Sequence, residues 1–240
     1  CCSDWNDCFY DYFRQYPYMK IFHGAESGLN TAMAIVVLQR LADALEAVRD
    51  EHAISGRKAE VEDIISAARA YRSELLAALR AAMQGRDFIQ RAFLDDEVIG
   101  DGEMFFEPQP WLLGIPELAS CHDAIWGAIR ERVWTDEPRG ARQREVPGRR
   151  EDGGIWYALN GPLAATLADR GSEEAAESLE KMTCRRHAAV YPDRWIGMWS
   201  NGDSMHSHRL PDPQEAGRVD KYLHPMPVYC AHAHAWPLYV

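Results

Sequence analysis

The chain has 240 residues, 47% of them apolar, and its 37 acids against 26 Lys plus Arg give a formal net charge of -11. That length and apolar fraction suffice for an independent core and exclude a disordered chain. The acidic balance argues against nucleic acid or an anionic lipid surface as the main partner, because phosphates call for basic residues; a neutral or small ligand fits better.

In chain order, Ser27 reads as an N-cap, and Leu29, Met33, Val36, Val37, Leu41, Ala44, Leu45 and Val48 recur at intervals of three and four, which predicts a helix over 29–48. "HAISGRK" breaks the pattern. A second helix is predicted over 61–82, with Glu60, Glu62 and Asp63 in its first turns and Val61, Ile64, Ile65, Ala68, Tyr71, Leu75, Leu79 and Ala82 on one face. The two form an antiparallel hairpin, which in the back half of a helical toroid would leave a contiguous apolar patch bare where further hairpins pack. "DFIQRAFLDD" and "GEMFFEP" read as short extended segments, and Pro108 or Pro110 opens a further helix. Cys121 to Thr135 continues helical. "DEPRGARQREVPGRREDGG" is too rich in Pro, Gly and Arg for a regular element and is read as a long loop. Helices over 153–168 and 172–189 make a third pair, before the Trp-rich, turn-rich "YPDRWIGMWSNGDSMHSH".

The longest apolar run, in "TAMAIVVLQRL", is far short of a membrane span, so no membrane segment is expected. Six cysteines without any CxxC spacing or secretory leader in view predict free thiols in a reducing, cytoplasmic compartment. The chain opens on Cys1 rather than Met and stops on "AHAWPLYV", which suggests a fragment.

The stretch "SDWNDCF" combines Trp5, a platform for a sugar ring, Asn6, a donor and acceptor for hydroxyls, and Asp7, a carboxyl that burial beside an indole can keep protonated. Glycoside cleavage needs such a proton donor and such a surface. The plainer reading makes Asp4 a turn residue and Trp5 part of the core.

Three stretches in order, "DWNDC", "FFEPQPW" at 105–111 and "EDGGIWYALNGPLA" at 151–164, resemble the cellobiose phosphorylase family, glycoside hydrolase family 94, whose corresponding stretches read approximately DWND, F-x-NPQ-x-W and ENGGIF. The resemblance covers roughly residues 3–170. It implies an all-α fold: a partial (α/α)6 toroid of the six-hairpin glycosidase type with long loops and a few short strands. Residues 1–240 would be part of a single catalytic domain lacking its N-terminal hairpins. It also implies that Asp7 is the general acid, that Trp5 and Asn6 line the sugar subsite with Gln109 and Trp111, and that Glu151 stands before Gly153 and Gly154, where glycines allow a ligand to approach the backbone. For Trp111 alone, simple core packing is the competing reading. Inorganic phosphate would be the co-substrate, a β-linked gluco-oligosaccharide the substrate, and no metal or other cofactor is implied; a homodimer stays open.

Departures from the family pattern put the phosphate site in question. Ser3 and Ala158 stand where the family has Arg and His, Glu107 replaces the Asn of NPQ, and "WIGMWSNGDS" has no clear counterpart to the family's Thr-Gly phosphate contact. Arg139, Arg142, Arg144, Arg149 and Arg150 are better read as solvated than as phosphate ligands. His206 and His208, with His232 and His234, could hold a metal beside Asp203 if extended, but no Glu or Cys stands at ligand spacing. Two readings follow: an inverting enzyme, by phosphorolysis or by hydrolysis with Asp203 (beside Trp199) or Glu151 as base, and a catalytically silent carbohydrate-binding relative. A plain helical scaffold ranks third.

Overall fold

A computed structural model describes residues 9–49, 56–146, 154–194, 204–205 and 235. The described residues are mostly helical, and the chain divides into two compact units, Cys1–Gly100 and Asp101–Val240.

The first unit is built on a helical hairpin, α2 (Gly28–Val48) and α3 (Lys58–Ala82), preceded by a 3-10 turn at Phe9–Phe13 and the short α1 (Tyr18–Gly24). Ser27 caps α2 as expected: its Oγ accepts from the Asn30 amide at 3.2 Å. Ala42 of α2 packs with Val61 and Ile65 of α3, a fully buried aliphatic side chain such as Ile65 contributing about 1.5–3 kcal/mol. The pair is tied at its rims by Arg49–Glu62 at 2.8 Å and Arg69–Glu46 at 2.7 Å. Arg72, buried in α3, donates to the Ile35 carbonyl of α2 at 3.2 Å. Val37, Leu41 and Val48 on α2 and Ile64 and Tyr71 on α3 remain exposed.

A three-stranded sheet closes the hairpin's end: β1 (Glu26–Ser27), β2 (Ala92–Leu94) and β3 (Glu97–Ile99), all antiparallel. The sheet approaches α2 so closely that a Cβ on Gly28 would lie 2.2 Å from the Gln90 carbonyl oxygen. Only glycine fits there. Beside it, Phe9, Phe13, Ile21, Ala25, Ala92 and Leu94 form an aromatic-rich cluster.

The second unit contains α4 (Gln109–Leu112), a 3-10 turn at Pro116–Cys121, α5 (His122–Arg132), β4 (Trp134–Asp136), β5 (Arg139–Ala141), β6 (Ile155–Trp156), α6 (Tyr157–Asp169), α7 (Glu174–Lys181), α8 (Cys184–Val190) and β7 (Ser204–Met205). Its central helix is α6, with Leu159, Asn160, Gly161, Pro162, Leu163, Ala164, Ala165 and Leu167 all buried. Pro162 removes one helical donor, and the Thr166 hydroxyl bonds back to the Pro162 carbonyl at 2.7 Å.

Three elements differ from their predicted extents. The helix predicted over 121–135 stops at Arg132, because Trp134–Asp136 pairs with Arg139–Ala141, a hairpin that runs from the predicted helix into the predicted long loop. Asn160 holds that hairpin from α6, accepting from the Ala141 amide at 2.8 Å and donating to its carbonyl at 3.0 Å. Gly140 (φ 141°) crosses so near that a Cβ would meet Ile155 Cγ2 at 2.8 Å. The helix predicted from 153 starts only at Tyr157, its first residues going into β6. The one predicted over 172–189 breaks at Thr183, whose hydroxyl caps α8 by accepting from the Arg186 amide at 3.2 Å.

Replacing Gly28 by Ala should destabilise the chain by about 2–3 kcal/mol, since the added methyl meets backbone that cannot rotate away. Urea unfolding of the two forms checks this; an unchanged midpoint would mean that the sheet can withdraw from α2 without loss.

Candidate functional site

Of the residues singled out by the sequence, Trp5, Asn6, Asp7, Glu151, Gly153, Trp199 and Asp203 lie outside the described residues, as do His206, His208, His232 and His234. Gln109, Trp111 and Gly154 are described, all in the second unit.

Gln109 is fully buried, and its side chain turns back on its own segment, donating from Nε2 to the Phe105 carbonyl at 2.7 Å. It therefore shapes the "FFEPQPW" turn as well as lining it. Trp111 is only partly buried, so it is not a sealed core residue. Gly154 is buried, and its carbonyl accepts from the Gln143 amide at 2.9 Å.

That contact belongs to a narrow ladder. The Gln143 carbonyl accepts from Phe106 N–H at 2.7 Å, Phe105 bridges to Arg144, and Arg142 bridges to Ile155. Ile155 and Trp156 then pair with Met205 and Ser204. Four stretches that are distant in sequence, 105–106, 142–144, 154–156 and 204–205, are thus laced together by backbone hydrogen bonds. Three of them belong to segments the sequence had marked: "FFEPQPW", "EDGGIW" and "SNGDS".

Two side chains at this junction were not proposed from the sequence as site residues. Glu107 has 0% of its surface exposed and accepts from Gln143 Nε2 at 3.1 Å, while Gln143 Oε1 is buried with no hydrogen-bond partner among the described residues. The available clue was a lone acid inside a run of aromatics and prolines; for Gln143, whose place is set by pairing, there was none.

The loop arginines differ from the solvated reading. Arg142, 3% exposed, donates to the carbonyls of Arg132 at 3.2 Å and Glu145 at 2.6 Å. Arg144 pairs with Glu103 and lies over the Phe105 ring at 4.6 Å. Arg139 bonds Asp136 at 2.9 Å and Ser178 at 3.2 Å. These three hold the hairpin together; Arg149 and Arg150 lie outside the described residues.

Among the described residues no group of three or more His, Cys, Asp or Glu side chains is placed to hold a metal, and no helix is long and apolar enough to cross a membrane. Among the described residues two histidines are buried. His122 meets the Ile115 carbonyl at 3.1 Å, and burial holds its pKa below the usual range. His187 sits at 1% exposure with Nδ1 2.8 Å from the Tyr157 hydroxyl. Burial lowers its pKa to about 4, partly offset by the nearby Arg139 carbonyl, which approaches without the geometry of a full hydrogen bond. The imidazole is therefore neutral at pH 7 and shares one proton with the Tyr157 hydroxyl across this contact.

A histidine with a depressed pKa stabilises the fold fully above its unfolded value near 6.5, and that contribution fades as pH falls toward 4. The span corresponds to about 3 kcal/mol. Unfolding free energies measured from pH 7.5 to 4.5 should therefore fall, and His187→Gln, which keeps an acceptor for Tyr157 but cannot charge, should flatten the slope. Parallel slopes in both proteins would remove His187 as the cause.

Compared with known proteins, the chain matches no family model and no curated relative.

Proposed function

We propose that this chain is part of a carbohydrate-active enzyme that cleaves β-linked gluco-oligosaccharides with inversion, Asp7 donating the proton to the leaving oxygen and inorganic phosphate attacking the anomeric carbon. The observation that carries the reading is the ladder through Gln143. The segments "FFEPQPW" and "EDGGIW" are nearly fifty residues apart, and they were picked out together only because both resemble stretches of one phosphorylase family. Their backbones meet through one residue, with Glu107 and the partly buried Trp111 on the same turn. The partly buried Trp111 on this turn is the group type that suits a sugar's apolar face, while the buried Glu107, Gln109 and Gln143 hold the turn in shape.

Hydrolysis is the second reading, and a specific observation favours it. Arg139, Arg142 and Arg144 are committed to internal partners, which removes three cations as phosphate ligands. An inverting hydrolase needs a carboxylate base about 6.5–9.5 Å from the acid. Glu151 and Asp203 are the candidates that the sequence offers.

The test is to incubate the full-length protein with a β-gluco-oligosaccharide in the presence and absence of inorganic phosphate. Phosphorolysis yields glucose 1-phosphate only when phosphate is present. Reducing sugar released without phosphate, and lost in Asp203→Asn, would instead establish hydrolysis. In either case Asp7→Asn should lower turnover of an unactivated glycoside by about 10²- to 10⁴-fold, with partial recovery on a substrate whose leaving group is strongly acidic. Equal losses on both substrates would show that Asp7 does not act as the proton donor.

A further inference from the structure

A recess of about 140 Å³ opens in the first unit between the start of α2 and the end of α3. Leu79 and Ala82 of α3, with Ile89 from the segment leading to β2, give it apolar walls, and Leu79 and Ile89 are almost wholly buried. An apolar cavity of about 150 Å³ holds a benzene molecule, so the space suits a body of about six carbons. The polar side chains on its lining are Glu26 and Thr31.

Glu26 is exposed on β1, and among the described residues its carboxylate makes no hydrogen bond or ion pair. The sheet register sets it directly opposite Phe93 on β2. Antiparallel partners carry their side chains on one face, with Cβ atoms about 4.5–5.5 Å apart, so a carboxylate and an aromatic ring border the recess side by side. Both attract the same kind of ligand: the carboxylate by its charge, the ring by the negative face of its π-system, which draws a cation lying within about 6 Å. The amino end of α2 acts the other way, with about half a positive charge on its first turn. A whole negative charge on Glu26 outweighs it, and Ser27 Oγ already takes up one of the amide donors there. An anionic ligand would meet Glu26 at the rim, and a neutral one would leave its attraction unused. At longer range the net charge of -11 also favours a cation.

We propose that this recess binds a small organic amine: a free ammonium compound whose compact apolar body enters between Leu79, Ala82 and Ile89 while its charged nitrogen stays at the rim with Glu26 and Phe93. The site uses none of the residues assigned to catalysis, and it stands or falls separately from that assignment.

The probe is benzylammonium chloride, titrated into the full-length protein by isothermal calorimetry. Benzyl alcohol matches its shape without the charge, benzoate reverses the charge, and methylammonium keeps the charge without the body. Benzylammonium should bind one to one with a Kd on the order of 0.1–1 mM, as suits about eight heavy atoms. It should bind about 5- to 10-fold more tightly than benzyl alcohol or methylammonium, and benzoate should not bind measurably. Glu26→Gln, which keeps the shape and removes the charge, should reduce benzylammonium to the affinity of benzyl alcohol. Ala82→Leu, which adds three carbons to the wall, should weaken it by about tenfold. Thermal melts of both variants check that they fold; if Ala82→Leu does not, Glu26→Gln and the three comparison ligands decide. The proposal is overturned if benzylammonium does not bind, or if benzyl alcohol or benzoate binds as tightly. It is equally overturned if methylammonium matches benzylammonium, which would mean a diffuse attraction to an acidic chain, or if either folded variant keeps the parent affinity.

Discussion

Every backbone amide and carbonyl withdrawn from water must find a partner, and in this chain that requirement acts most severely outside the long helices. The extended segments between helices among the described residues are short, with too few consecutive residues for an ordinary sheet. They are satisfied instead by strands of two or three residues and by single bridges. In the first unit the result is the seam where Gly28 and Arg91 share a hydrogen bond; in the second it is the exchange from Phe106 through Gln143 to Gly154. Side chains are then arranged around these seams.

The same requirement explains which parts of the fold were legible in the sequence. Helices α2 and α3 bury one face each, so their apolar residues recur at helical spacing, and Ser27 announces the start of the first. Strands as short as β6 and β7 have no period to detect, because Ile155 is extended only by virtue of Arg142 and Met205, residues remote in sequence. The hairpin of β4 and β5 was hidden in a stretch of Pro, Gly and Arg. Its stability comes from Asn160 and from arginines turned inward, neither of which a composition argument reveals.

For the candidate site the division is similar. Gln109 and Trp111 could be named because they sit in a short stretch that resembles a known family motif, and their neighbourhood is a junction of chain segments. Glu107 was noticed only as a departure from a pattern, yet it is more deeply buried than Trp111 and holds Gln143 in place. A carboxylate surrounded by Phe and Pro in the sequence is chemically conspicuous. Its partner, thirty-six residues away, becomes visible only when the backbone is paired.

Helix α6 sets a different kind of limit. A helix with one wet side can absorb a bulkier or more polar residue by letting it point outward, but α6 has buried residues around most of its circumference. Substitutions along Leu159–Leu167 therefore have no harmless direction, and the small residues Gly161, Ala164 and Ala165 set how near neighbouring segments can come. Over long divergence this should leave α6 as a slowly changing stretch, while α3, with its many exposed positions, drifts freely and ceases to be a useful guide to kinship.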